Sequence, residues 1–89
     1  MRFEWDPRKA KANLRKHGVS FEEAITVFND PRVVFKLDTG HSEQEDRYWA
    51  IGISGNARIL LVCHCYRIND VVRILSARKA TSAEIKLYP

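Results

Sequence analysis

Residues 47–77, RYWAIGISGNARILLVCHCYRINDVVRILSA, decide the fold. Three runs rich in apolar and β-branched residues, Arg47–Ile53, Arg58–Tyr66 and Val71–Ala77, are separated by Ser-Gly-Asn and Ile-Asn-Asp. Runs of this length joined by tight turns read as three antiparallel strands in a meander. Ile59–Cys65 is nearly all apolar and belongs at the centre of the sheet.

The turns then set which side chains share a face. Gly55-Asn56 suits a two-residue type II′ turn. That turn pairs Ser54 with Ala57, and so Arg47 with His64. A second two-residue turn, centred on Ile68-Asn69 or on Asn69-Asp70, puts Arg73 opposite His64 or one step diagonal to it. Arg47, His64 and Arg73 are thus expected in one row, with Cys63, Cys65, Val72 and Ile74 on the core face. A three-residue turn reverses the assignment, because side chains alternate with period two. Two guanidiniums can hold a phosphodiester by paired hydrogen bonds and stabilise a pentacoordinate transition state. A histidine between them can move a proton near neutral pH. The competing reading is that both arginines merely solvate an exposed sheet face.

Upstream, RFEW (2–5) alternates and suits an edge strand. Asp6-Pro7 reads as N-cap and first residue of a helix that runs to about His17, with Gly18 just beyond its end. This helix carries Arg8, Lys9, Lys11, Arg15 and Lys16, a possible nucleic-acid contact or simply a solvated face. Ser20 and Glu23 form a capping box, and Phe21, Ala24, Ile25 and Phe28 make one apolar stripe. Asn29-Asp30-Pro31 stops that helix, Val33–Leu37 is a strand, and 38–46 is a polar loop. Thr81 and Glu84 form a second capping box for a short C-terminal helix. The order β-α-α-β-β-β-β-α, an antiparallel sheet with two N-terminal helices and one short C-terminal helix, is an α+β fold.

The 89 residues allow one domain, 1–89. The net charge of +4 is unevenly placed. Residues 1–20 and 58–89 each carry six basic and two acidic side chains, whereas 21–57 carry three basic and seven acidic. Two basic ends that meet in the fold would make one surface for an anionic partner. No apolar run is long enough to span a membrane, and MRFEWDPRKA has no apolar signal core. Cys63 and Cys65 lie two apart on a strand, about 6.6 Å along its axis, which suits core thiols better than a disulfide and fits the reducing cytoplasm. No metal or cofactor is expected. Alternation turns His64 away from both thiols, and His41 with Glu43, Glu45 and Asp46 reads as a solvated acidic loop. Trp5, Tyr48 and Trp49 can stack bases, but in a domain this small aromatics mostly fill the core.

Three separated blocks carry a family resemblance. FEWDPRKAKANLRKHGVSFEEAITVFNDP (3–31), Glu45-Asp46-Arg47 followed by Ile51-Gly52, and Arg73-Ile74-Leu75-Ser76-Ala77-Arg78-Lys79-Ala80-Thr81 closely resemble the BrnT toxin family over essentially the whole chain. After the histidine the chain departs from the family pattern, with Cys65-Tyr66-Arg67 where many relatives have Thr and a charged residue. The resemblance implies a RelE-like fold and a ribonuclease toxin of a bacterial type II toxin–antitoxin pair. It implies an endoribonuclease that needs no metal, in which the substrate's 2′-hydroxyl attacks the adjacent phosphorus. It also implies a BrnA-like ribbon-helix-helix antitoxin, through which alone the chain meets operator DNA and represses its own operon. The residues for this chemistry are Arg47, His64, Arg73, Arg78 and Lys79, with Lys9, Arg67 and Tyr88 as RNA contacts. His64, Lys79, Lys9 and Tyr88 are the groups able to move protons, and no one of them is singled out as base. Two other classes compete: a non-catalytic nucleic-acid-binding or repressor module, which tolerates His64→Ala, and a toxin that inhibits a protein target through the acidic loop.

Overall fold

The computed structural model describes residues 1–40 and 45–89. The elements are β1 (Arg2–Glu4), α1 (Pro7–His17), α2 (Phe21–Thr26) running into a 3₁₀ turn (Val27–Asn29), β2 (Val34–Leu37), β3 (Tyr48–Ile53), β4 (Ile59–Arg67), β5 (Val71–Lys79) and α3 (Ser82–Ile85). This is the expected order. The sheet runs β1-β5-β4-β3-β2, with β4 central. β1 is an edge strand and pairs parallel to β5, while the other pairs are antiparallel.

Local chemistry explains the helices. Asp6 accepts from the Arg8 amide at 2.9 Å, Pro7 opens α1, and Gly18 closes it in the left-handed region at φ 69°. Ser20 accepts from the Glu23 amide, but the Glu23 carboxylate does not reach back to complete the box. It instead accepts from Ser54 Oγ at 2.7 Å and from the Arg58 side chain, tying α2 to the β3–β4 turn. The Thr81–Glu84 box is complete.

One face of the sheet packs against the helices. Val19, Phe21, Ala24 and Val27 close over Ala50, Leu60, Val62, Val72, Ile74 and Ala77. The 3₁₀ turn approaches so closely that a Cβ on Gly52 would lie 2.9 Å from Val27 Cγ1. α1 docks through one buried polar side chain. Asn13 donates to Val19 O at 2.9 Å and Ala77 O at 2.8 Å, and accepts from the Ala77 amide at 3.1 Å. Its amide thus stands in for a strand on β5.

Both meander turns differ from expectation. Each holds three residues, not two. In the first, Ser54 N donates to Arg58 O at 2.8 Å around Gly55-Asn56-Ala57, with Ala57 at φ 60°. In the second, Arg67 pairs with Val71 around Ile68-Asn69-Asp70, with Asn69 at φ 63° and Asp70 at φ 60°. Each extra residue moves a neighbouring strand by one and turns its side chains over. The polar loop expected over 38–46 falls in part on 41–44, outside the described residues, and the His41 and Glu43 expectations lie there with it.

Candidate active site

The turns break the expected row and build another. His64 pairs with Tyr48 and Ile74, not with Arg47 and Arg73. Arg73 pairs with Cys65. Arg47, one residue before Tyr48, continues the same ladder beside Cys65, and its carbonyl accepts from the Asp38 amide at 2.7 Å. The two arginines therefore still share a face across three strands, but the residue between them is Cys65. That face is turned away from α1 and α2. Arg67, two residues past Cys65, joins them.

His64 is the correction. It points to the helical face and is 0% exposed. Its ring packs edge-on to Phe28 at 4.9 Å, with Phe35, Tyr48 and Tyr66 around it. Nδ1 lies 3.2 Å from Val62 O and Nε2 3.3 Å from Tyr66 Oη. Burial holds its pKa below the ordinary histidine value, against the pull of the Val62 carbonyl. It is a neutral core histidine on the wrong side of the sheet to touch anything held by Arg47 and Arg73. The core face expected from Cys63, Cys65, Val72 and Ile74 divides accordingly: Val72 and Ile74 face the helices, the cysteines the arginines.

A bulge adds a further cation to the arginine face. Cys63 pairs with Ser76 and His64 with Ile74, so Leu75 is the extra residue. Without it, alternation would point Arg78 away from Arg73. With it, Arg78 pairs with Leu61 on the Cys65 face, about 13 Å along β4 from Arg73. Its guanidinium grips Glu84 with both nitrogens, at 2.7 and 2.9 Å, and so holds α3. Arg78 holds Glu84 far below the ordinary glutamate range, at about 2. Lys79 is exposed at the end of β5.

Carboxylates already occupy much of this face. Arg73 donates to Glu4 at 2.7 Å and Arg67 to Glu45 at 2.6 Å. The Arg67 guanidinium keeps Glu45 below the usual carboxylate range, despite some desolvation. Burial first, then Glu45, pushes the Cys65 thiol up, so it stays protonated beneath the arginines. Sequence reasoning read Glu45 only as part of a solvated acidic loop and missed Glu4, because the register of β1 with β5 that sets Glu4 against Arg73 has no local signal.

The remaining expected residues lie apart. Tyr88 donates to Asp30 Oδ2 at 2.6 Å, and Asp30 also accepts from Ile53 N, at the far end of β3 from Arg47. Lys9 stands on α1, across the sheet. Among the described residues no three His, Cys, Asp or Glu side chains converge as a metal site, and no helix is long and apolar enough to cross a membrane.

Comparison with known proteins agrees with this architecture. The crystal structure of the Brucella abortus ribonuclease toxin, BrnT, superposes with a TM-score of 0.71 at 23% identity, covering 92% of this chain and 99% of that one. No curated protein sequence matches the chain. Residues 5–84 match the family described as the ribonuclease toxin, BrnT, of type II toxin–antitoxin systems. With so much of its length matched, the chain belongs to the BrnT ribonuclease toxin family.

Proposed function

We propose that this ribonuclease toxin is an endoribonuclease that cuts RNA without a metal, on the sheet face that carries Arg47, Arg67 and Arg73. The substrate's 2′-oxygen attacks the adjacent phosphorus as its proton passes to a base. The P–O5′ bond breaks, and the departing oxygen takes a proton from solvent. The products are a 2′,3′-cyclic phosphate and a 5′-hydroxyl. The observation that supports this reading is the convergence of Arg47 and Arg73 from opposite sides of Cys65. Fixed guanidiniums supply the positive charge that the pentacoordinate phosphorus needs. Arg78 flanks this site and acts mainly by holding α3, whereas Lys79 pairs with Leu60 on the opposite face of the sheet. With His64 walled off, Glu4 and Glu45, beside Asp38, are carboxylates on the face able to accept the proton.

The rest follows from the toxin–antitoxin family. A BrnA-like ribbon-helix-helix antitoxin covers the face with acidic and apolar residues, and the pair represses its own operon by binding operator DNA through the antitoxin alone. Both act in the cytoplasm. Purified chain incubated with RNA in excess EDTA should give fragments whose mapped ends carry 5′-hydroxyls and cyclic phosphates. Cutting abolished by EDTA and restored by Mg²⁺ contradicts the proposal.

A further inference from the structure

We infer that the cleft between α1 and the bulged edge of β5 binds the phosphodiester backbone of single-stranded RNA. The inference rests on RNA being the substrate and adds a second contact, on the other side of the sheet edge from the arginines.

The cleft exists because β5 is only partly covered. β1 pairs with Val71, Val72 and Arg73 and then ends. Asn13 closes the edge again at Ala77. Between these points the extra residue Leu75 swells the strand, and a cleft opens between Lys9, Asn13, Lys16 and His17 of α1 and Leu75 and Ser76 of β5. No carboxylate lines it. Positions 9, 13, 16 and 17 fall on one stripe of a helix.

Charge decides the occupant. Arg58, Arg67, Arg73 and Arg78 are each ion-paired within the chain. Lys9 and Lys16 form no ion pair among the described residues. A phosphate entering the arginine face competes with a resident glutamate, whereas one entering the cleft displaces only water. Lys9 and Lys16 stand about 10 Å apart along the helix axis, so they meet successive groups of an extended polyanion and not one isolated phosphate. The Asn13 amide is spent on Val19 and Ala77 and acts as the wall. The His17 ring adds a donor, Ser76 contributes only the rim because its hydroxyl turns to Cys63 on the other face, and half-buried Leu75 offers apolar surface to a sugar or base.

The probe is a single-stranded 2′-O-methyl oligoribonucleotide, which keeps the phosphates but lacks the attacking hydroxyl. Its binding to the full chain is followed across a range of salt concentrations, beside cleavage of unmodified RNA. Lys9→Gln with Lys16→Gln should lower the log–log salt slope by about 1.4, at ~0.7 per neutralised phosphate, equivalent to roughly 25-fold in affinity per tenfold change in salt. The charge-matched control Lys36→Gln with Lys86→Gln, on β2 and beyond α3, should stay within about twofold of the wild type. All four lysines are exposed, and thermal melts verify that both variants fold. Unchanged affinity and slope in the Lys9/Lys16 variant, while the wild type cuts RNA, overturn the cleft and leave the nuclease reading standing. A wild type that cuts RNA without salt-dependent binding of the probe also overturns the cleft. A wild type that neither binds nor cuts overturns both readings.

Discussion

Arg73 and His64 are neighbours in the meander, yet they belong to opposite sides of the sheet and should fail differently when changed. Arg73→Ala removes one arm of the clamp. It should slow RNA cleavage by roughly 30- to 1000-fold, a loss of ~2–4 kcal/mol of transition-state stabilisation, with little change in melting temperature. Arg73→Lys should recover little, because an ammonium lacks the bidentate fork. His64→Ala should do the reverse at first sight: the buried ring leaves a cavity, and stability should fall by about 2–4 kcal/mol in a denaturant melt. The discriminating variant is His64→Gln, which should cut RNA at near the wild-type rate once folded. The histidine also predicts a pH dependence. Its folded pKa lies below its unfolded one, so its contribution is fully present above about 6.5 and is lost as pH falls towards the folded value. The wild-type melting temperature should drop as pH falls from neutral through that window, and His64→Gln should flatten the drop. An unaltered pH profile in the variant would mean that His64 is not the buried titrating group.

Turn length is the element-scale feature on which the site depends. The strands, helices, caps and element order were readable because hydrophobic period, Asp-Pro, Gly18 and the Ser/Thr–Glu spacings are local signals. The face of each arginine was not, because it hung on whether two short turns hold two residues or three. Gly55-Asn56 favours the shorter turn in isolation, but Glu23 reaches the turn from α2, gripping Ser54 and Arg58. That contact joins residues 31 and 35 apart in sequence and has no local signature. Both turns hold one residue more than expected, so β3 and β5 each shift by one against β4, and Arg47 and Arg73 remain together while His64 leaves. Ala57 now sits at φ 60°, where a Cβ is unfavourable. Ala57→Gly should therefore raise stability by about 0.5–1 kcal/mol; a clear loss would argue against this turn. Asn13 gave a weak signal, a lone amide inside a helix of charged and alanine residues. Asn13→Ala leaves the Ala77 amide and carbonyl without partners and should destabilise the fold by ~2–4 kcal/mol in urea titration. At the other end, Glu84 is held at about 2 by Arg78. A depressed carboxylate stabilises above its unfolded pKa, so α3 docking should weaken as pH falls from about 4.5 towards 2. Arg78→Ala should abolish that acid transition when it is followed by the fluorescence or NMR signals of Tyr88.

At the scale of the whole molecule, the sheet divides the chemistry. One side buries a small core, including a histidine that sequence alone would nominate for catalysis. The other carries arginines convergent on a thiol and partly neutralised by Glu4 and Glu45. The basic ends of the sequence do meet: β1 lies against β5, and α1 docks on the same strand. Their free positive charge, however, gathers on α1, not on the arginine face. RNA held along α1 with its scissile phosphate on the arginines would pass over the β5 edge, and both surfaces would have to be covered for a toxin of this family to be silenced. The most direct measurement is the single-turnover rate, in chelator, on an RNA with one mapped cut site, compared with the same RNA carrying a single 2′-deoxynucleotide immediately 5′ of the scissile phosphate. Metal-free attack by the substrate's own hydroxyl predicts cleavage of the first and none of the second at that site. Equal cutting of both would contradict it.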